Sequence, residues 1–363
     1  MSPKTRRNIS RIIPFGLIWL IFSIIYSLQE RGILGDLKSY PSTGNPYSFK
    51  GSFFITAIAA FTFGILMGTI EILFINKFFT EKSFLKKIIY KAMIYLAIMI
   101  FFLLVITFFH NLNELNAEIS DKEVWNNVWL FFTSISFWAV EIYIAAIIFI
   151  SLFYTEVSEN LGQGVLNNFF TGKYHTPKVE ERIFMFLDMK SSTTIAEKLG
   201  HVKYFEMLKE YYSDLSDPIV MHSGKIYQYA GDEVIVSWML DKGTEENKCI
   251  NCFFALKNEI RNLSEKYRQK FGVIPEFKAG IHYGNVTTGE IGELKKDIFF
   301  TGDVLNTAAR IQGLCNSFNT DIIISGQLLE KLQLDSNFKI IPLGENELKG
   351  RGEKINLYTF RIL

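Results

Sequence analysis

Apolar positions are spread unevenly along this chain. Four long runs, at roughly 12–28, 53–75, 88–109 and 128–153, are almost free of charge, whereas beyond residue 154 the pattern breaks into short alternating segments. A helix rises ~1.5 Å per residue, so ~20 apolar residues cross the hydrocarbon core of a bilayer. Each run approaches or exceeds that length, which predicts a four-helix transmembrane domain over residues 1–153. The first run is the shortest and follows "KTRRNISR", a layout shared with signal peptides. No small-residue cleavage site follows it and three more runs do, so an uncleaved span is expected.

Lys and Arg near the span ends set the expected orientation. Lys4, Arg6, Arg7 and Arg11 precede the first span, and Lys77, Lys82, Lys86 and Lys87 lie between the second and third. The segment "HNLNELNAEISDKEVWNN" between the third and fourth is acidic with a single Lys, while the first loop, with Arg31, Lys38 and Lys50, fits least well. Both termini are therefore expected on the cytoplasmic side of the inner (plasma) membrane. Charged residues inside spans are costly in lipid. Glu71 and Lys91 fall about a turn from the cytoplasmic surface on consecutive helices; of pairing and snorkelling, snorkelling of Lys91 is the reading taken. Glu141 sits near the middle of span four and is expected to hydrogen-bond a Ser or Thr of the bundle, with a ligand or proton site as the alternative. A haem held by two histidines is discounted, because His110 is the only His in this half.

Residues 154–181 begin as a helix, meet Gly162 and Gly164, and reach Pro177, which reads as a short helical coupling linker. Over 182–363 strands and helices alternate: a buried strand "RIFMFLDMKS", an N-capped helix start at "SSTTIAEKLG", and a hairpin of "KIYQYAG" and "DEVIVSW" turning at Ala230-Gly231. A helix through 245–269, the strand "EFKAGIHYG", the helix "GDVLNTAARIQGLC", the strand "DIIISG" and a final hairpin follow. The order βαββαβ predicts an α+β, ferredoxin-like sheet with helices packed on one face.

Composition narrows the function. The net charge of +1 leaves no electrostatic footprint for nucleic acid. Three cysteines in 363 residues argue against a disulfide framework, and Cys249-x-x-Cys252 lacks a second pair or nearby His for zinc.

Asp188 ends the first strand and Asp232 sits at the turn of the central hairpin, and in a β-α-β-β sheet those elements are neighbours. Each Asp alone is well explained as a turn cap. Together, beside the backbone N–H groups at the helix start in "DMKSST", they suit two divalent cations bridging a polyphosphate. The motifs "FLDMKSST", "GKIYQYAGDEVIVSW", "AGIHYGNVTTGEIG", "TGDVLNTAARIQ" and "LKGRG", in that order, resemble the catalytic domain of the class III nucleotidyl (adenylate and guanylate) cyclases, over about residues 180–363.

That resemblance implies that Asp188 and Asp232, with the Met189 backbone, hold two Mg²⁺ or Mn²⁺ ions. It places Ser191, Ser192 and Thr193 by the phosphates, Asn306 on the ribose, and Arg310 on the transition-state charge. Lys349, or Arg351 in its stead, matches the terminal-phosphate Lys. Asn306 and Arg310 are one turn apart on one helix face. In the family the aspartates come from one subunit and the Asn/Arg pair from the other, so a single copy of each motif implies a homodimer. Where adenylate cyclases carry a Lys and an Asp or Thr to read adenine, this chain has Gln228 and Phe299, with Thr301 on the same strand face as a substitute. Gln offers both a donor and an acceptor, leaving ATP and GTP open. ATP is favoured, because Gln lacks the charge that would select guanine's donors. A diguanylate cyclase is the nearest rival, but "AGDE" lacks that family's second Gly and Phe; a non-catalytic receptor and a transporter are further alternatives.

Overall fold

The computed structural model describes residues 1–39, 47–80, 82–162, 164–334, 336–348 and 354–362. The chain divides into two compact units, a helical one over Thr5–Gln163 and a second over Gly164–Leu363 with Met1–Lys4.

The helical unit contains α1 (Pro3–Leu34), α2 (Phe49–Leu73), α3 (Phe84–Leu115), α4 (Lys122–Thr133) and α5 (Ile135–Leu161). Helices α1, α2, α3 and α5 are long and apolar enough to cross a membrane. The apolar run expected over 128–153 is broken: Ser134 ends the short helix α4, and its hydroxyl accepts from Phe137 N at 3.2 Å to start α5. Many large apolar side chains of the long helices, such as Ile58, Phe101 and Ile142, are exposed, as lipid-facing positions are. Helices α1 and α2 meet through Gly64 and Gly68, where an added Cβ would lie 2.8 Å from the Phe15 carbonyl oxygen and 2.9 Å from the Phe15 ring. Such a small-xxx-small stripe lets two helix backbones approach closely.

Lys91 does not snorkel. It is fully buried, with Nζ 2.7 Å from Glu71 Oε1, 2.7 Å from Glu156 Oε1 and 2.8 Å from Asn76 Oδ1. Tyr95 donates to the second Glu71 oxygen at 3.0 Å, and Asn76 donates to Glu159, which also pairs with Arg11. All four long helices therefore contribute to one polar network. An ammonium with three acceptors gains more from staying than from reaching for water. The bond expected between Glu141 and a Ser or Thr is not formed: the residue is 4% exposed and neither carboxylate oxygen has a hydrogen-bond partner.

The second unit opens with α6 (Val165–Phe170) and carries the strands β1 (Lys178–Met189), β2 (Lys225–Ala230), β3 (Glu233–Met239), β4 (Phe277–Ile291), β5 (Asp297–Thr301), β6 (Ile322–Ser325), β7 (Phe338–Glu347) and β8 (Lys354–Ile362). They form one sheet of order β2-β3-β1-β4-β6-β8-β7, with β5 on β4, antiparallel except for β4 against β6. The order β2-β3-β1-β4 is the ferredoxin-like arrangement of a βαββαβ unit. Helices α7 (Ser192–Leu199), α8 (His201–Met221), α9 (Leu240–Thr244), α10 (Lys248–Asn262) and α11 (Ser264–Phe271) follow β1 and β3. Ile183, Met185 and Leu187 of β1 face α8 and α10, where Cys249 and Cys252 are buried in the same core. The expectation of helices on one face holds only for these. α12 (Asp303–Gly313) covers the other face, packing Val304 and Ala308 on Phe184, Phe186 and Ile235, while α13 (Gly326–Leu329) is a single turn after β6. α12 sits almost on the backbone of β4, since a Cβ at Gly280 would lie 2.2 Å from Gln312 N.

Candidate active site

Strand alternation places the acidic groups. Phe184, Phe186 and Asp188 share the α12 face of β1, and Asp188 lies opposite Glu233 on β3 and Lys278 on β4. Ala230 pairs with Glu233, so the hairpin turns at Gly231-Asp232, one residue later than the sequence suggests. Gly231 takes φ +66°, a left-handed conformation that glycine adopts without strain. Tyr212 of α8 donates to the Gly231 carbonyl and stacks 4.3 Å from Tyr229, pinning the turn.

The carboxyls of Asp188 and Asp232 lie within hydrogen-bonding reach of one another. Burial first, and then the Asp232 charge, push the Asp188 pKa up, against the pull of Lys278, whose Nζ is 3.5 Å away. As a directly opposed pair, Glu233 and Asp188 share a face, and burial plus the charges of Asp188 and Asp232 raise the Glu233 pKa to about 7. Gln312 of α12 donates to Asp188 Oδ2 at 3.1 Å. Sequence reasoning missed Lys278, Gln312 and this placement of Glu233. Strand register would have found two of them, since Lys278 and Glu233 flank Asp188 on either side.

After Asp188, the Met189 side chain enters the core, so only its backbone is available to a ligand. Ser191 adopts φ +55° and α7 begins at Ser192 without the expected side-chain cap, which leaves its first N–H groups uncapped. Ser192 bonds the Tyr204 hydroxyl, and Thr193 is exposed. Asn306 is exposed and Arg310 half-buried, one turn apart on α12. Gln228 is exposed on the edge strand β2, just after a bulge at Ile226/Gln228. Phe299 is 46% exposed, and Thr301 shares its face of β5. Lys349 and Arg351 lie outside the described residues.

Residues 175–362 match the family described as the adenylate and guanylate cyclase catalytic domain. The chain belongs to this family. Adenylate cyclase 2 of Rhizobium meliloti (strain 1021) is 35% identical over 204 residues, 56% of this chain and 56% of that protein. Adenylate cyclase 1 of the same organism is 30% identical over 186 residues, 49% of this chain and 27% of that one. The chain thus spans about half or less of these relatives' length. Among solved structures, a bacterial light-regulated adenylyl cyclase superposes with a TM-score of 0.53 at 20% identity, covering 63% of this chain and 66% of that one; the likeness is one of fold. The cyclase family domain is thus the sheet unit, and the paired carboxyls stand at the end of β1 and in the β2–β3 turn.

Proposed function

We propose that this chain is a membrane-anchored adenylate cyclase that converts ATP to cyclic AMP and pyrophosphate in a homodimer. The observation that carries the reading is the meeting of Asp188 with Asp232 on neighbouring strand ends, beside the uncapped start of α7. Two half-buried carboxyls facing one another are a donor set suited to hard divalent cations, which would remove the repulsion between them. Two such ions, Mg²⁺ or Mn²⁺, would supply Lewis-acid activation of the ribose 3′-hydroxyl and neutralise the triphosphate.

The chain's own residues do the rest. Asp188 and Asp232, with the Met189 backbone, would hold the cations, and the N–H groups around Ser191, Ser192 and Thr193 receive phosphate oxygens. Asn306 orients the ribose, and Arg310 meets the charge that develops on the α-phosphate as its bond to the pyrophosphate oxygen breaks. Lys349 or Arg351 takes the terminal phosphates. Gln312 and Arg310 are two residues apart, about 200° round the helix, so the side of α12 that touches Asp188 is not the side that carries Arg310. This supports an Asn306–Arg310 pair that serves the Asp188–Asp232 pair of a second copy.

Gln228, Phe299 and Thr301 form the base-reading positions. A guanylate or dual-specificity cyclase is the second reading, favoured by the two-way amide of Gln228. The four long helices anchor the enzyme in the inner (plasma) membrane with both termini cytoplasmic, following the Lys/Arg bias of the loops. Purified protein with Mn²⁺ is assayed in parallel on ATP and GTP. Cyclic AMP from ATP is the expected product, a GTP-selective enzyme would replace the first reading by the second, and no cyclic product from either would overturn both.

A further inference from the structure

A second buried polar cluster occupies the α12 face of the sheet, away from Asp188. Arg182 of β1 is 4% exposed. Its Nη1 donates to Glu180 Oε2 at 2.9 Å and its Nη2 to Ser237 Oγ at 3.1 Å. The guanidinium carbon stands 4.5 Å from the centroid of the Phe300 ring. Glu180 also accepts from the Tyr174 hydroxyl at 3.0 Å and from Thr288 Oγ1 at 3.1 Å. Burial alone would raise the Glu180 pKa, but the bonds from Arg182 and Tyr174 outweigh it and hold the pKa below the usual carboxylate range. On its other sides the Phe300 ring meets Phe184 at 5.5 Å and Tyr227 at 4.8 Å, and the Tyr227 hydroxyl stands 3.5 Å from Phe300 N.

The sequence neighbours of these rings carry the argument. Tyr227 precedes Gln228, and Phe300 lies between Phe299 and Thr301. Strands β2 and β5 are not paired with each other in the sheet, yet the Tyr227–Phe300 contact joins them. Arg182 covers that contact from the sheet with a planar cation, which stacks on an aromatic face as an ammonium does not. Tyr174 belongs to the segment between α6 and β1, and its carbonyl accepts from Glu290 N at 3.0 Å.

We propose that Arg182 is a positioning residue for base selection. Held by Glu180 and Ser237, it fixes Phe300 against Tyr227 and so sets the placement of Gln228 relative to Phe299 and Thr301. Tyr174 ties that placement to the segment that enters the sheet unit, so a movement there alters nucleotide preference before it alters the reacting groups. The inference rests on the cyclase reading above and deepens it. A brace that is merely structural would cost stability and leave the constants of the folded enzyme unchanged.

The test measures KM, kcat and melting temperature of the full chain on ATP and GTP, with binding of fluorescent analogues of both read alongside. Arg182→Lys and Phe300→Leu are expected to raise KM for the preferred nucleotide about tenfold and to change the ATP:GTP ratio at least about threefold, with kcat within about twofold. Tyr174→Phe, which removes one hydroxyl, shifts both in the same direction by about threefold. Tyr267→Phe removes a hydroxyl bonded to Asp214 at 2.7 Å among the helices of the opposite face, and is expected to lower only the melting temperature. Lower melting temperatures with wild-type KM and wild-type ratio in the Arg182, Phe300 and Tyr174 variants would overturn the proposal. Should Arg182→Lys fail to fold, Tyr174→Phe decides. Silence of every protein, wild type included, would overturn the cyclase reading instead, and the binding ratios would still decide the inference.

Discussion

Gln312 donates to Asp188 at 3.1 Å from the side of α12 that Arg310 does not share. One helix thus steadies a carboxyl of its own chain while it presents its cationic residue elsewhere. If the site is shared between two copies, inactive Asp188→Ala and Arg310→Ala chains will restore activity when mixed. Random pairing makes half the dimers mixed, each with one intact site of two, so about a quarter of the wild-type rate is expected. The check is a cyclic AMP assay on mixtures whose heterodimer fraction is measured; heterodimers without activity would contradict the shared site.

Gln312 orients a carboxyl that the proposed cations need. Replacing such a supporting bond costs about 10–100-fold in metal affinity. Gln312→Leu is expected to raise the Mn²⁺ concentration for half-maximal activity about tenfold, with recovery at saturating Mn²⁺. A cation titration at fixed ATP reads this directly.

Glu180 carries a pH dependence of known sign. Its pKa in the folded chain lies below the model-peptide value, because Arg182 and Tyr174 outweigh the effect of burial. The stabilisation is fully present above about pH 4.5 and is lost as pH falls through the folded-state value. Glu180→Gln should remove this part of the acid limb. The check is chemical denaturation between pH 3 and 7, in which the variant's stability falls less steeply below about pH 4.5 than the wild type's.

The Lys91 network predicts an asymmetry between single and paired changes. Lys91→Met leaves Glu71 buried without its cation and Glu156 with only Lys87, at 3.4 Å, and is expected to cost about 3–5 kcal/mol. Adding Glu71→Gln removes one stranded charge and should recover part of that loss. Thermal unfolding in detergent, followed by circular dichroism, measures both.

Glu141 predicts the opposite sign. Both of its oxygens are buried and unpartnered, so Glu141→Leu should raise the melting temperature, by an amount reflecting about 1–3 kcal/mol. The same unfolding experiment checks it, and a lowered melting temperature would mean that the carboxyl makes a stabilising bond.

The parts that could be read from the sequence are those that periodicity and topology control. Long apolar runs mark the membrane helices, because nothing else in a chain needs so many uncharged residues in a row. The break at Ser134 escaped, since hydrophobicity continues across it and only a hydroxyl cap marks the turn. Glu156 escaped because it follows the end of its apolar run, although it supplies Lys91 with a second carboxylate. That Asp188 and Asp232 lie near one another was legible from the βαββ order. Lys278, Gln312 and the facing of Glu233 were not, because they depend on strand register and on how closely α12 approaches β4.

The four-helix polar network also constrains how the protein is made. Glu71 leaves the ribosome on the second long helix and Lys91 on the third, but Glu156 comes only at the end of the fourth. A helix released singly into lipid would carry an unmatched charge, so α2 and α3 are best handed to the bilayer as a pair and held near the insertion machinery until α5 arrives. Biogenesis of this anchor is therefore a cooperative event whose final step is the helix that runs on toward the cyclase domain.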